Sequence, residues 1–460
     1  MQKMFKYELH SFPPSISHHG ELNPPNDKSA LIHEIVTPCH NVPDDPQQFE
    51  PTSMVIIDGG RLCNQFPPKA NMTFDQYAEM LSKGPLGPYF HFNQRIDLVF
   101  DTYLEDSLKA KQSQGVRRRV AGNNKCPGNW TQFLRNTTNK HELYTFLAQK
   151  LLTFTYPTGR QLFFTCGERV LSNCVTSMED SDHEQADSRM MVHVQHGLSQ
   201  GMNRVKILSN DTDVVIIALG VYHTLRSRYI FEDIVIEFGT KKEHQTISLK
   251  SLALSLGESR SHALPFLHAL TGSDTTSAFK SIGKKKAYEA LRAYPSAETT
   301  LAHFHFHPFQ ELNEEDAKFK IIQRLVILMY SRSYSDMEVN QARMNLYATR
   351  KHIERIPPTS NSLLFHVRRS IYQCGIWSKC LLAHQSRPSP QNYGWQKAIG
   401  PDAKWNPLWM TEKEASKECR EWLVKCGCKK SCNKSCTCKA ASLKCTLFCS
   451  CQCKEKVTYE

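Results

Sequence analysis

Short apolar runs that stop at aspartate set the terms for any fold of this chain. Val55-Ile56-Ile57 ends at Asp58-Gly59-Gly60, and Leu98-Val99-Phe100 ends at Asp101. A third run spans Gln161 to Thr165, and Val205 to Leu208 ends in Ser209-Asn210-Asp211-Thr212-Asp213. Residues 184–199, between the last two runs, read as a helix. Short buried strands alternating with helices predict an α/β domain built on a parallel sheet. Ligands of such sheets sit at the carboxyl ends of the strands. Asp58, Asp101, Asp211 and Asp213 each follow a predicted strand.

The rest of the chain divides by texture. Residues 1–50 carry Pro13, Pro14, Pro24, Pro25, Pro38, Pro43 and Pro46, which break helices and strands, so an irregular Pro-rich extension is expected there. The α/β domain is expected over 51–300. Near its end Leu264 to Thr271 reads as a helix, Gly272-Ser273-Asp274 as a break, and Lys284 as the start of a second helix. The result is a helical hairpin near 270–292. A helical region follows over 301–390, interrupted by Pro357-Pro358, and then a linker over 391–425 that contains Trp395, Trp405 and Trp409. His303, His305 and His307 alternate with Phe304 and Phe306 and read as a surface strand or loop, with a metal site as the lesser alternative. The longest apolar runs, Val214 to Leu219 and Leu325 to Tyr330, are far too short to span a bilayer.

Cys426, Cys428, Cys432, Cys436, Cys438, Cys445, Cys449, Cys451 and Cys453 crowd the C-terminal segment in the pattern C-x-C-x3-C-x3-C-x-C-x6-C-x3-C-x-C-x-C. So dense and hydrophilic a stretch has no core of its own, and thiolates this close want a metal or each other. Six terminal and three shared thiolates would fill the tetrahedral shells of about three Zn²⁺ ions. A disulfide knot is the alternative. It fits poorly with Met1 to Pro14, which lack an apolar signal region, and with the remaining cysteines, which are scattered singly. A reduced, intracellular chain is therefore expected. Lys425, Lys429, Lys430, Lys434, Lys439, Lys444, Lys454 and Lys456 interleave the cysteines, and the whole chain carries a net charge of +12. That excess favours an acidic partner such as nucleic acid.

The carboxylates carry the main chemical signal. Asp58, Asp101, Glu184, Asp187, Asp211, Asp213 and Asp274 are far apart in sequence, yet most sit at strand or helix ends that can share one edge of a sheet. Carboxylates that converge there repel one another unless divalent cations neutralise them, and all-oxygen ligands select Mg²⁺ or Mn²⁺ over Zn²⁺. Two such ions can activate water and stabilise the leaving oxygen in phosphodiester cleavage. Taken singly, each aspartate is a turn residue or helix cap.

Order and spacing together resemble the PIN-like nuclease fold of the flap endonuclease and XPG type. Val-Ile-Ile-Asp58-Gly resembles its first metal aspartate and Val-Phe-Asp101 its second. His183-Glu184-Gln185-Ala186-Asp187 resembles its E-A-E helix motif, with Gln185 where the first glutamate stands. Asn210-Asp211-Thr212-Asp213 resembles its D-x-D motif. Leu270-Thr271-Gly272-Ser273-Asp274 resembles the motif of its last metal aspartate. Ser281-Ile282-Gly283-Lys284-Lys285-Lys286-Ala287 resembles its duplex-gripping helical hairpin, with Ser281 in place of the leading glycine. The resemblance covers roughly 54–292. Over 426–453 the tail resembles the CXC zinc domain of tesmin/TSO1-like proteins, in a single copy and with Ser435 where the DNA-reading repeats place a tyrosine. The combination is similar to proteins of aquatic invertebrates spread by mobile elements.

The resemblance implies a PIN-like parallel sheet with helices on both faces, then a helical region and a small zinc domain. It implies two Mg²⁺ or Mn²⁺ ions held by Asp58, Asp101, Asp187, Asp211, Asp213 and Asp274, with Glu184 beside them, and about three Zn²⁺ in the tail. Lys109, Lys111, Arg117, Arg118 and Arg119, which follow the Asp101 strand, would offset the repulsion between a carboxylate site and phosphate. Gly283, Lys284, Lys285 and Lys286 open a helix whose amides can hold a phosphate. The expected function is a nuclear, structure-specific DNA endonuclease, with RNA as the other candidate substrate. Its alternative is a degraded nuclease fold that binds DNA or chromatin without cutting.

Overall fold

The computed structural model describes residues 2–37, 40–41, 54–103, 106–108, 116–239, 244–350, 352–400, 404–412 and 415, and in the tail 426–429, 432, 436–440, 445 and 449–452. It comprises two compact units. One holds Ile32–Pro265 and Cys374–Pro388, and the other holds Met1–Leu31, Phe266–Gln373 and Ser389–Glu460.

The first unit is built on a seven-stranded sheet. In chain order its strands are β1 Met54–Asp58, β2 Arg95–Val99, β3 Gln161–Cys166, β4 Arg169–Ser172, β5 Arg204–Leu208, β6 Asp233–Phe238 and β7 Gln245–Ser248. They lie side by side as β4-β3-β2-β1-β5-β6-β7. The five inner strands are parallel, and β4 and β7 close the edges antiparallel. The chain leaves β1 toward β2 and β3, then returns to β5 on the other side of β1. That reversal puts the switch point of the sheet between β1 and β5, beside the end of β1 where Asp58 stands.

Alternation along the strands feeds two cores. Val55, Ile57, Ile96, Leu98, Leu162 and Phe164 pack with the helices Phe74–Lys83 and Thr137–Leu152. The residues between them face the helix Ala186–Ser199. A Cβ on Gly197 of that helix would lie 2.3 Å from the Met54 sulfur, so glycine there permits the close approach. Residues 374–388 return to this unit, where the Leu382 carbonyl accepts from His183 Nε2 at 2.8 Å and the Ala383 carbonyl from the Asp182 amide at 3.1 Å.

The second unit is mainly helical. The expected irregular extension is packed into it over residues 4–31. Phe5, Leu9, Ile16 and Leu31 are buried. Arg343, itself buried, donates to the Phe5 carbonyl at 3.0 Å and lies 3.6 Å from the Glu8 carboxylate. The Asn23 carbonyl accepts from the Ala278 amide at 2.8 Å, and the Ser15 carbonyl from the Lys280 amide at 2.7 Å. Prolines there exclude regular structure without excluding burial. The expected linker is also partly packed, because Arg369 donates to the carbonyls of Gly394 at 2.9 Å and Leu408 at 2.7 Å. Residues 266–300, expected with the α/β domain, belong to this unit.

Two local expectations change. His303 and His305 lie on the helix Pro295–Phe306, and the His303 and His307 rings stack with centroids 3.9 Å apart, so the alternating strand face is absent. Ser281, where the related motif carries glycine, holds a left-handed φ of 63° and is exposed. A Cβ in that region costs about 1–2 kcal/mol, partly offset by the greater freedom of glycine in the unfolded chain. Ser281→Gly should therefore raise the urea midpoint by an amount equivalent to about 0.5–1 kcal/mol. No helix among the described residues is long and apolar enough to cross a membrane.

Candidate active site and cysteine cluster

Helix starts at the carboxyl edge of the sheet position the carboxylates. β1 runs into the helix Gly59–Gln65, and Asp58 caps it by accepting the Arg61 amide on Oδ1 at 3.0 Å. Gly59 is required at this turn, because a Cβ would lie 2.1 Å from the Phe100 ring. After β5, Ser209 donates from Oγ to Asp58 Oδ2 at 3.0 Å and accepts the Asp211 amide at 3.2 Å. Asp211 then caps the helix Thr212–Arg228, accepting the Asp213 amide at 2.9 Å. The third helix, Ala186–Ser199, begins where Asp101 Oδ1 accepts the Ala186 amide at 2.9 Å.

Those starts bring Asp187, Asp211 and Asp213 together, with one carboxylate oxygen of each within 4.8 Å of the others. Asp187 and Asp213 are buried in the first turns of their helices. Asp58 adjoins the trio through Ser209, and Asp101 through the turn that carries Asp187. Burial raises Asp58 above the ordinary carboxylate range, and the nearby Asp101 charge adds to the rise against the pull of the Arg61 amide. Glu184 lies just before the Ala186 helix. Its carbonyl accepts the Thr102 amide at 2.8 Å and its carboxylate accepts the Ser107 hydroxyl. Asp274 belongs to the second unit, where it is ion-paired with Lys28. The donor set of the trio is oxygen only, which suits a hard divalent cation.

Two supporting networks have no counterpart in the sequence reading. Asp97, in the middle of β2, is fully buried and takes both Arg95 Nε at 2.7 Å and Nη2 at 2.6 Å, with His193 Nδ1 at 2.6 Å on its second oxygen. Burial works to raise Asp97, but the Arg95 guanidinium overrides it and holds the carboxyl low. His193 lies on the helix that carries Asp187, so the network fixes that helix to the sheet. At the end of β6, Glu237 pairs with Arg61 at 2.8 Å, Lys206 at 3.0 Å and His244 at 3.3 Å. Its burial is outweighed by Lys206 and Arg61, which bring it down to about 2. The charge of the Arg61 side chain is thereby committed to Glu237 while its amide serves Asp58.

The basic residues divide. Lys109 and Lys111 lie outside the described residues. Arg117 pairs with Glu142, and the Arg118 amide donates to Asn139 at 3.0 Å, which leaves Arg118 and Arg119 with exposed side chains on an ordered loop. Gly283 caps the helix Lys284–Ala293, and Lys285 and Lys286 are exposed on it. Lys284 departs from the expectation of a phosphate contact. It is buried, and its ammonium donates to the carbonyls of His268 at 2.9 Å and Gly272 at 2.8 Å and to the Thr271 hydroxyl at 3.2 Å.

No disulfide joins the described cysteines. Cys426, Cys432, Cys445 and Cys451 have ligand sulfurs within 4.8 Å of one another, as have Cys426 with Cys436, Cys438 and Cys445, and Cys426 with Cys428, Cys432 and Cys436. Cys438 and Cys449 sulfurs are 3.4 Å apart, far beyond a disulfide bond. The Lys439 amide brings the Cys436 thiol down to about 6. Overlapping all-sulfur sets of this kind could hold zinc. Cys453 lies outside the described residues.

The chain matches no family model. It matches no curated protein. Among solved structures it is similar to bacteriophage T5 D15 flap endonuclease in a pseudo-enzyme–product complex with DNA and metal ions, at 11% identity and a TM-score of 0.30 over 71% of this chain and 97% of that one. The T5 D15 protein co-crystallised with metal ions gives 13% identity and the same TM-score of 0.30, over 71% and 97% of the two chains. Likeness at that level leaves function to the geometry of the site.

Proposed function

We propose that the first unit is a divalent-metal-dependent nuclease acting on branched or flapped DNA, and that the cysteine segment is a zinc-holding tail that adds affinity for nucleic acid. The convergence of Asp187, Asp211 and Asp213 at the carboxyl edge of the sheet carries the reading. Helix starts make the arrangement rigid, since each carboxylate lies in the cap or first turn of a helix whose body packs on the sheet. Asp58 and Asp101 would complete the ligand set, and Asp274 is kept as a candidate on its motif alone. Mg²⁺ or Mn²⁺ bound there would supply an activated water and stabilise the leaving oxygen of a phosphodiester. Arg118, Arg119, Lys285 and Lys286 are exposed cations that could meet the phosphate backbone, consistent with a nuclear protein. Incubation with Mn²⁺ and labelled flap, bubble and hairpin DNA, with the matching RNAs alongside, tests the reading directly. Cleavage of a branched substrate is expected.

Gln185 favours the second reading, a fold of this kind that binds DNA or chromatin without cutting. It occupies the cap of the Ala186 helix, makes no side-chain cap bond, and brings no carboxylate where the related motif has one. Binding in Mn²⁺ with no cut product on any substrate would select it.

The tail should contain about three zinc ions per chain held by thiolate, and should order only with metal, since so short a segment lacks a core. Elemental analysis and mass spectrometry of residues 420–460 check this. Absence of zinc together with stable disulfides would rule it out.

A further inference from the structure

On the face of the first unit formed by the helices Phe74–Lys83 and Thr137–Leu152 there is an open cavity of about 590 Å³. Asp75, Arg119, Gly122, Asn123, Phe146 and Lys150 line it. Its rim is an ordered loop. The Gly122 carbonyl accepts the Asp75 amide and the Asn124 carbonyl the Phe74 amide, both at 3.0 Å. The Asn124 amide donates to the Ala121 carbonyl at 2.9 Å, and the Val120 amide to Glu142 at 3.1 Å. Gly122 is part of the design, because a Cβ there would lie 2.4 Å from the Asp75 carboxylate.

The lining fits one chemical class. Lys150 is paired with Asp75 at 2.7 Å, so those two charges cancel and the exposed Arg119 leaves the cavity with a single positive charge. A phosphodiester carries one negative charge. Phe146 is half-buried, edge-on to Phe74 with ring centroids 6.1 Å apart, and still lines the cavity. An aromatic ring in a wall is a stacking platform for a base, and the Asn123 amide offers both a donor and an acceptor to a base edge. A base inside a duplex has both faces stacked and cannot enter.

We propose that this cavity holds one unpaired nucleotide of a single strand, with its base on Phe146 and its phosphate on Arg119. The inference deepens the nuclease reading by naming a single-stranded arm as part of the substrate, yet it can be tested without cleavage. The full-length protein is titrated, in buffer lacking Mg²⁺ and Mn²⁺, against labelled oligo(dT) and against a blunt duplex of the same length. Phe146→Leu, which keeps an apolar contact with Phe74, should weaken oligo(dT) binding about tenfold and leave duplex binding unchanged, and Arg119→Gln, at an exposed position, should weaken oligo(dT) binding about tenfold and duplex binding by clearly less. Photo-crosslinking with a 5-iodouracil strand should place adducts within residues 119–124 or 146–150. Unchanged oligo(dT) affinity in both variants, equal losses on duplex, or adducts only elsewhere would overturn the proposal. Wild-type protein that never cuts, while these differences hold, would instead remove the nuclease reading and leave the cavity assignment standing.

Discussion

Asp213→Ala is expected to abolish Mn²⁺-supported cleavage, lowering the rate by on the order of 10²–10⁴, without loss of fold or of DNA binding. Asp213 is 1% exposed, and its carboxylate is grouped with those of Asp187 and Asp211. Alanine removes one ligand from that trio. The helix start survives, because the bond that caps it runs from the residue 213 amide to Asp211 and needs no side chain at 213. Three carboxylates in one place also repel phosphate, so losing one should leave DNA affinity unchanged or higher. Cleavage of flap DNA, anisotropy with the same DNA, and a circular dichroism melt separate the outcomes. A variant that cuts at the wild-type rate would show that these aspartates are helix caps and nothing more. A variant that melts well below wild type would show that Asp213 is structural.

The edge of the sheet was legible because its residues obey local rules. An apolar run that stops at aspartate reports both a buried strand and the cap of the next helix, and Asp58, Asp211 and Asp213 stand where that rule puts them. The supports of the site were not legible for the opposite reason. Arg95-Ile96-Asp97-Leu98-Val99 alternates charge and apolar residues, as a half-exposed strand would. In the structure all of β2 is buried, because Arg95, Asp97 and a histidine nearly a hundred residues away satisfy one another. No periodicity announces a partner at that distance. Lys284 fails in the same way. Beside Lys285 and Lys286 it reads as one of a solvated cluster, and only the carbonyls freed at the end of the preceding helix give it a buried role. The packed N-terminal segment was hidden by its prolines, which report conformation and carry no information about burial.

Acid should destabilise the fold through its buried histidines. Three histidines are held neutral in the fold. Burial, above all, brings His183 down to about 4 and His366 to about 3, and burial with the nearby Arg95 charge brings His196 to about 4. His183 is satisfied by Ser188 at 2.9 Å and Leu382 at 2.8 Å, while His366 bonds the Leu270 carbonyl through Nε2 at 2.8 Å and its buried Nδ1 has no hydrogen-bond partner, so none of the bonded partners is a carboxylate. These groups bind protons in the unfolded chain at the ordinary value of 6.5 and in the fold only far lower. Their contribution is therefore complete above pH 6.5 and is lost as pH falls through the interval down to about 4, where His183 and His196 begin to charge within the fold. Each fully buried ring removes about 1.4 kcal/mol per pH unit in that interval. His196 is only half-buried and counts for less. Asp58 and Asp233 work against the loss, because burial raises them and they favour the fold as pH falls. His183 belongs to the first unit and His366 to the second, so each unit loses about 3 kcal/mol over two pH units, a sizeable share of the stability of many domains. Urea titrations followed by circular dichroism should show the midpoint falling steeply from pH 7 to pH 5. His366→Gln should flatten that slope in the transition of the second unit, and an identical midpoint at both pH values would mean that these rings exchange protons with water in the fold.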